Sequence, residues 1–166
     1  MMVRLNRLIC VALCMFAVGG CSYRPLYGTA SEDRGVVEAL TTIAIPEAET
    51  RLGQIIRNDL LSAMRPAGTA GEDRFQLRLT TVQGKDNIIK RLQPNETRDA
   101  VKASVSFELL DGDKMVYSGK TFSQVTFDVV RQPFADTQAE NNATERVAHE
   151  LSADIRTRLA AYFASR

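Results

Sequence analysis

The chain has 166 residues, with 21 Lys and Arg against 20 Asp and Glu and a formal net charge of +1. That near-balance excludes general nucleic-acid binding, which needs a surplus of cations to displace the counterions of a phosphate backbone. The length suits one domain with a single core, and no tract is repeated or of low complexity.

Met1 to Arg7 holds Arg4 and Arg7 and no acid, and Leu8 to Val18 is an almost unbroken apolar run. A charged start, a short apolar middle and small residues after it form the pattern of a secretory signal peptide. The run is too short to cross a hydrocarbon core as a helix, which takes about 20 residues. Val18-Gly19-Gly20-Cys21 resembles the lipobox of bacterial lipoproteins, with valine where leucine is commoner. That resemblance implies a diacylglycerol on the Cys21 thiol, cleavage just before Cys21 and an N-acyl chain, such as palmitate, on the new amine. A buried cysteine closing an apolar segment is the alternative. Burying acyl chains contributes about 0.8 kcal/mol per CH₂, so two or three chains would anchor the protein by roughly tens of kcal/mol. Ser22 stands where lipoproteins kept in the inner membrane carry aspartate, which implies the outer membrane, on its periplasmic side. The expected organisation is a lipoprotein signal peptide over 1–20, a lipidated extended tether over 21–35 and a single α+β domain over 36–166. Of three cysteines, Cys10 and Cys14 would leave with the signal, so no intramolecular disulfide could form.

Ser22 to Gly35 contains Pro25, Gly28 and Gly35 and reads as extended or loop-like. Its Tyr23, Leu26 and Tyr27 would either dock on the domain or sit at the lipid surface. Val, Ile, Leu and Thr dominate Val36 to Ile45, and Pro46 stops the run, so a strand is expected over about Val37–Ile45. Thr50 to Met64 is helical by period, with Leu52, Ile55, Ile56, Leu60 and Met64 on one face. Gln54, Arg57, Asn58 and Asp59 fall toward the other side. Phe75 to Gln83 alternates, with Phe75, Leu77 and Leu79 in and Gln76, Arg78 and Thr80 out. Gly84 to Thr97 has a basic tint, and Ile88, Ile89 and Leu92 suggest that the strand resumes.

Ala100 to Leu110 is the clearest strand: Val101, Ala103, Val105, Phe107 and Leu109 face one way, Lys102, Ser104, Ser106 and Glu108 the other. Asp111-Gly112-Asp113 makes a turn, and Met115 to Val129 returns as the hairpin partner, with Gly119 as a candidate bulge. After Pro133, a helix capped by Asp136 or Thr137 runs to about Phe163, its inner stripe stepping through Ala139, Ala143, Val147, Leu151, Ile155, Leu159 and Phe163. The fold class expected from this order, β-α-β-β-β-α, is α+β: a four-stranded, mostly antiparallel sheet with two helices packed on one face. The other face would be polar and bare, with Arg78, Thr80, Lys102, Ser104 and Ser106.

Catalytic chemistry is not visible in the sequence. There is no phosphate-binding glycine loop and no nucleophile motif. The one histidine, His149, lies a turn after Glu145, a pair far short of a metal site, and reads as a solvated helix residue. The chain is expected to be no enzyme, with no metal site and no cofactor beyond the covalent lipid.

Cys21-Ser22-Tyr23-Arg24-Pro25-Leu26-Tyr27-Gly28 resembles the mature start of the LptE family, the lipopolysaccharide-assembly lipoproteins of Gram-negative bacteria. Arg51-Leu52-Gly53-Gln54-Ile55-Ile56-Arg57-Asn58-Asp59-Leu60 is similar to that family's first helix. Phe134-Ala135-Asp136-Thr137-Gln138-Ala139-Glu140 and Asp154-Ile155-Arg156-Thr157-Arg158-Leu159 resemble its second. The resemblance implies two helices on one face of a four-stranded sheet. It also implies an outer-membrane lipoprotein that plugs the β-barrel LptD, aids its assembly and helps deliver lipopolysaccharide to the outer leaflet. Because lipopolysaccharide carries phosphates, its candidate contacts are Arg78, Lys85, Lys90, Arg91 and Lys102. Two other readings remain: an accessory lipoprotein of another outer-membrane assembly complex, and a lipid-anchored periplasmic enzyme or enzyme inhibitor.

Overall fold

The computed structural model describes residues 31–66, 72–87, 98–129 and 132–166. The expected signal peptide, Cys21, the expected tether up to residue 30, and Lys90 and Arg91 lie outside the described residues. In chain order the elements are α1 (Ser31–Thr41), β1 (Ile43–Ala44), α2 (Arg51–Met64), β2 (Phe75–Asn87), β3 (Arg98–Asp111), β4 (Lys114–Asp128) and α3 (Pro133–Ala164). The α+β class holds, with one helix more than the sequence reading supplied.

That added helix, α1, corrects the expected strand over Val37–Ile45 and turns residues 31–35 from tether into helix. The boundary expected between 35 and 36 therefore falls inside α1. Val36, Ala39 and Leu40 lie at helical spacing, Leu40 is buried, and Val36 packs on the core. A strand would have put Val37 on the inner face, yet Val37 is 57% exposed. The helix ends where Thr41 Oγ1 donates to the Glu38 carbonyl and Thr42 Oγ1 to that of Ala39, both at 2.7 Å. Only Ile43 and Ala44 remain as strand, and they pair in parallel with Phe75 and Gln76.

Thr50 begins α2 from an extended conformation, and its Oγ1 accepts from the Gly53 amide at 3.0 Å. The buried side of α2 carries Leu52, Ile56, Leu60 and Met64. The sheet runs in the order β1-β2-β3-β4, with β2–β3 and β3–β4 antiparallel. At the β3–β4 turn Gly112 has φ +60°, a conformation that glycine adopts without strain. The bulge is at Val116, since Leu109 pairs with Tyr117 and Leu110 with Met115. Gly119 serves another purpose: a Cβ there would stand 2.5 Å from the Phe107 ring, which lies across its backbone.

Pro133 opens α3, and no side chain caps the helix, so Asp136 and Thr137 sit inside its first turns rather than before them. Asp136 there still meets the positive end of the helix dipole. The 32 residues of α3 extend about 48 Å at 1.5 Å each, close to the length of the long strands it covers. Ala143, Val147, Leu151, Ile155 and Leu159 are all buried, as the stripe predicts. They join Val101, Val105, Phe107 and Leu109 of β3 and the inner side of α2 in one core. Rings close one end of it: Tyr117 stacks on Tyr162 at 4.8 Å, and Phe75 meets Phe163 edge-on at 5.3 Å.

Gly119→Ala should lower stability by about 1–3 kcal/mol in denaturant unfolding, because the ring must move. Adding Phe107→Leu should recover part of that loss relative to Phe107→Leu alone. A neutral Gly119→Ala would refute the close approach.

Candidate functional site

The sheet face turned away from the helices sets polar side chains in an ordered arrangement. It is built by the alternate residues of β2, β3 and β4 that the core does not use. Register sets them in rows. Thr80, Ser106 and Lys120 form one row, Val82, Ser104 and Phe122 the next, and Gly84, Lys102 and Gln124 the one after. Hydroxyls and an amide (Thr80, Ser104, Ser106 and Gln124) alternate with Lys102 and Lys120, but Val82 and Phe122 stand 64% and 61% exposed in the middle row. Ala100 and Leu110 share this side of β3 and are buried, so the open area lies between them.

The basic candidates do not converge. Arg78 is on this face, where its Nε donates to Gln76 Oε1 at 3.3 Å and its strand partner is Glu108. Lys102 is on the same face and is ion-paired with Asp86. Six residues of β3 separate Glu108 from Lys102, about 20 Å along the sheet. Lys85 points the other way, toward the helices, because it continues the inward positions of Leu77 and Leu79. Its Nζ donates to Glu140 Oε2 at 2.7 Å, lies 3.6 Å from Asp99 Oδ2 and sits 5.3 Å from the centre of the Phe127 ring. The hydrogen bond to Glu140 raises its pKa most. Burial opposes that, and the charges of Glu140, Asp136 and Asp99 raise it further. Lys85 is thus occupied in holding the start of α3 to the sheet.

His149 has a partner that sequence reasoning missed. Its Nδ1 lies 2.6 Å from Asp59 Oδ2, and Ser152 Oγ reaches the same oxygen at 3.3 Å. The Ser152 hydroxyl lies closer to the His149 main-chain carbonyl, at 2.9 Å, and it is the Asp59 carboxylate that the imidazole addresses, so this is a clasp between α2 and α3 and not a hydroxyl activated by the ring. The helical period alone puts Asp59 on the polar side of α2. The spacing of His149 and Ser152, three apart on α3, hinted at a shared partner, but only the packing of the two helices identifies it. Glu145 turns instead to Arg51, at 3.8 Å. Among the described residues no three His, Cys, Asp or Glu side chains are grouped to hold a metal ion.

No protein-family model and no curated protein matches the chain. Among solved structures it is similar to a protein provisionally classed as a lipoprotein from Caulobacter crescentus CB15, at 27% identity and a TM-score of 0.66, over 80% of this chain and 98% of that one. A minor lipoprotein from Acinetobacter baumannii shares the fold at 14% identity and a TM-score of 0.54, over 72% of this chain and 89% of its own. Rare lipoprotein B from Shewanella oneidensis does so at 15% identity and a TM-score of 0.53, over 72% and 92%. The two more distant neighbours share the fold alone, and the Caulobacter protein adds a likeness in sequence over most of both chains.

The Lys85–Glu140 pair gives a test of the cluster. Because the amine is raised above its ordinary 10.5, its contribution is whole below that pH and fades as the pH climbs through the raised value. Glu140→Gln should cost at most about 1 kcal/mol at pH 7, the range of exposed pairs. In paired melting curves taken upward from neutral pH the gap should narrow only in strongly alkaline buffer; a gap that closes near neutrality would contradict the pairing.

Proposed function

We propose that the chain is an outer-membrane lipoprotein of the LptE type, held on the periplasmic side through acylated Cys21. In this reading it occupies the lumen of the β-barrel LptD as a plug, aids barrel assembly and helps deliver lipopolysaccharide to the outer leaflet. It carries out no catalysis and needs no cofactor besides its lipid.

The observation that carries the reading is the free, hydroxyl-bearing sheet face of Thr80, Ser104 and Ser106 on a fold shared with bacterial lipoproteins. A barrel interior is polar, so a plug must offer it hydroxyls, amides and balanced charge rather than a greasy surface. A layered domain with helices on one side only meets that need without exposing its core. The motifs at Cys21–Gly28, Arg51–Leu60 and Phe134–Glu140 supply the link to this family in particular. Arg78 and Lys102 are the described candidates for lipid phosphates, each free to exchange a surface partner for a phosphate oxygen. Lys90 and Arg91 stand as candidates from the sequence, while Lys85 is committed to Glu140.

Depleting the protein tests the reading. Lipopolysaccharide at the cell surface should fall, one large barrel should co-purify in mild detergent, and mass spectrometry should find acylated Cys21. Unchanged surface delivery with no barrel recovered would overturn it. Charge reversal at Arg78 and Lys102 together should weaken lipopolysaccharide binding by about tenfold or more, given about 1.5–3 kcal/mol for a charged hydrogen bond. Unchanged binding would remove both residues from the contact.

A further inference from the structure

Among the described residues two long stretches of the sheet have no strand on their outer side: β2 beyond Gln76, because the two residues of β1 reach only Phe75 and Gln76, and β4, whose fifteen residues pair only with β3. The start of α2 stands beside β2, with Thr50 Oγ1 2.9 Å from Thr81 Oγ1, so β4 is the edge considered for a partner. Among the described residues nothing bonds to the outward backbone groups of β4. Natural edges are usually blunted by proline, by closely spaced charge or by a bulge that turns the strand away. Here β4 has no proline, its bulge at Val116 lies near the hairpin turn, and Lys120 is the only charge between Lys114 and Asp128.

A groove of about 590 Å³ runs beside the middle of this edge, between Lys120–Gln124 and the flank of α3. Its α3 wall carries Glu150, which accepts from Ser123 Oγ, and Asp154, whose charge is matched by Arg158 at 2.8 Å. Among the described residues no cation is paired with Glu150. On the opposite side of the strand, Lys120 has no acidic partner among the described residues, and Phe122 is 61% exposed.

We propose that the β4 edge from Lys120 to Gln124 accepts an extended segment of a protein partner as a fifth strand. Main-chain hydrogen bonds along the edge supply the binding, and the flanking side chains select the sequence. Toward α3 the added strand places arginine or a hydroxyl residue against Glu150. Toward the free face it places an acid beside Lys120 and an aromatic or branched residue beside Phe122, where cross-strand pairs form. The proposal stands whether or not the partner is a barrel.

The test uses the purified full chain in detergent micelles. The probe is a capped nine-residue peptide alternating Arg and Thr with Glu and Phe, made in a plain version and in one N-methylated throughout. The plain peptide should bind and should slow hydrogen exchange at alternate amides of β4. The methylated peptide, with the same side chains but no donors, should bind at least tenfold more weakly. Lys120→Glu with Phe122→Ala should weaken the plain peptide about tenfold; both residues are exposed, so an unchanged melting curve confirms the fold. Absence of binding at millimolar peptide, equal binding of the methylated version, or protection on the Val82–Ser104 face instead of the edge would overturn the proposal. So would β4 protection that rises with protein concentration alone alongside a sedimenting dimer, because the edge would then serve a second copy.

Discussion

The structure depends on one constraint: a sheet with a single apolar face must find enough apolar helix to cover it. The inner positions of β3, from Val101 to Leu109, are nearly inaccessible, and no turn or ion pair could hide them. Helix α3 answers most of the need because its stripe repeats over the whole length of the sheet, and α2 and α1 complete the layer. At about 25 cal/mol per Å², burial on this scale outweighs every polar contact in the molecule. The tight places follow from it, including the bare backbone at Gly119, where the Phe107 ring needs the space a Cβ would take.

Covering one face leaves the other in water, where an antiparallel sheet is at ease. The polar contacts then fall into two groups. Lys85 with Glu140 and Asp99, and Asp59 with His149 and Ser152, tie helix to sheet and helix to helix. Lys102 with Asp86, and Arg98 with Asp128, lie on the free side and neutralise it without covering it. The result is a surface of hydroxyls and balanced charge crossed by one apolar row, Val82 to Phe122. Such a surface suits a polar enclosure better than an acyl chain.

Where side chains repeat over many residues, the sequence was a sufficient guide. The period of two in β3 and the four-residue step in α3 each repeat often enough to leave one interpretation. Val36 to Thr41 satisfies both periods at once, and its β-branched residues favoured the strand. What decides for helix is tertiary: α2 and α3 receive Val36 and Leu40, a fact no local pattern contains. Lys85 was legible in principle, since extending the alternation of β2 by two residues puts it on the helix side. Gly119 was not, because its reason is a ring twelve residues earlier that reaches it only through the hairpin. The partner of His149 was hidden likewise, lying ninety residues away on another helix.

The central claim is that this domain meets its partner with the sheet and not with the helices. A photo-crosslinking residue placed at Ser104 on the free face, or at Arg146 on the exposed side of α3, would test it directly in living cells. Ser104 should join the chain to a single outer-membrane barrel, and Arg146 should give no such product. A barrel captured only from Arg146, or from neither position, would contradict the account.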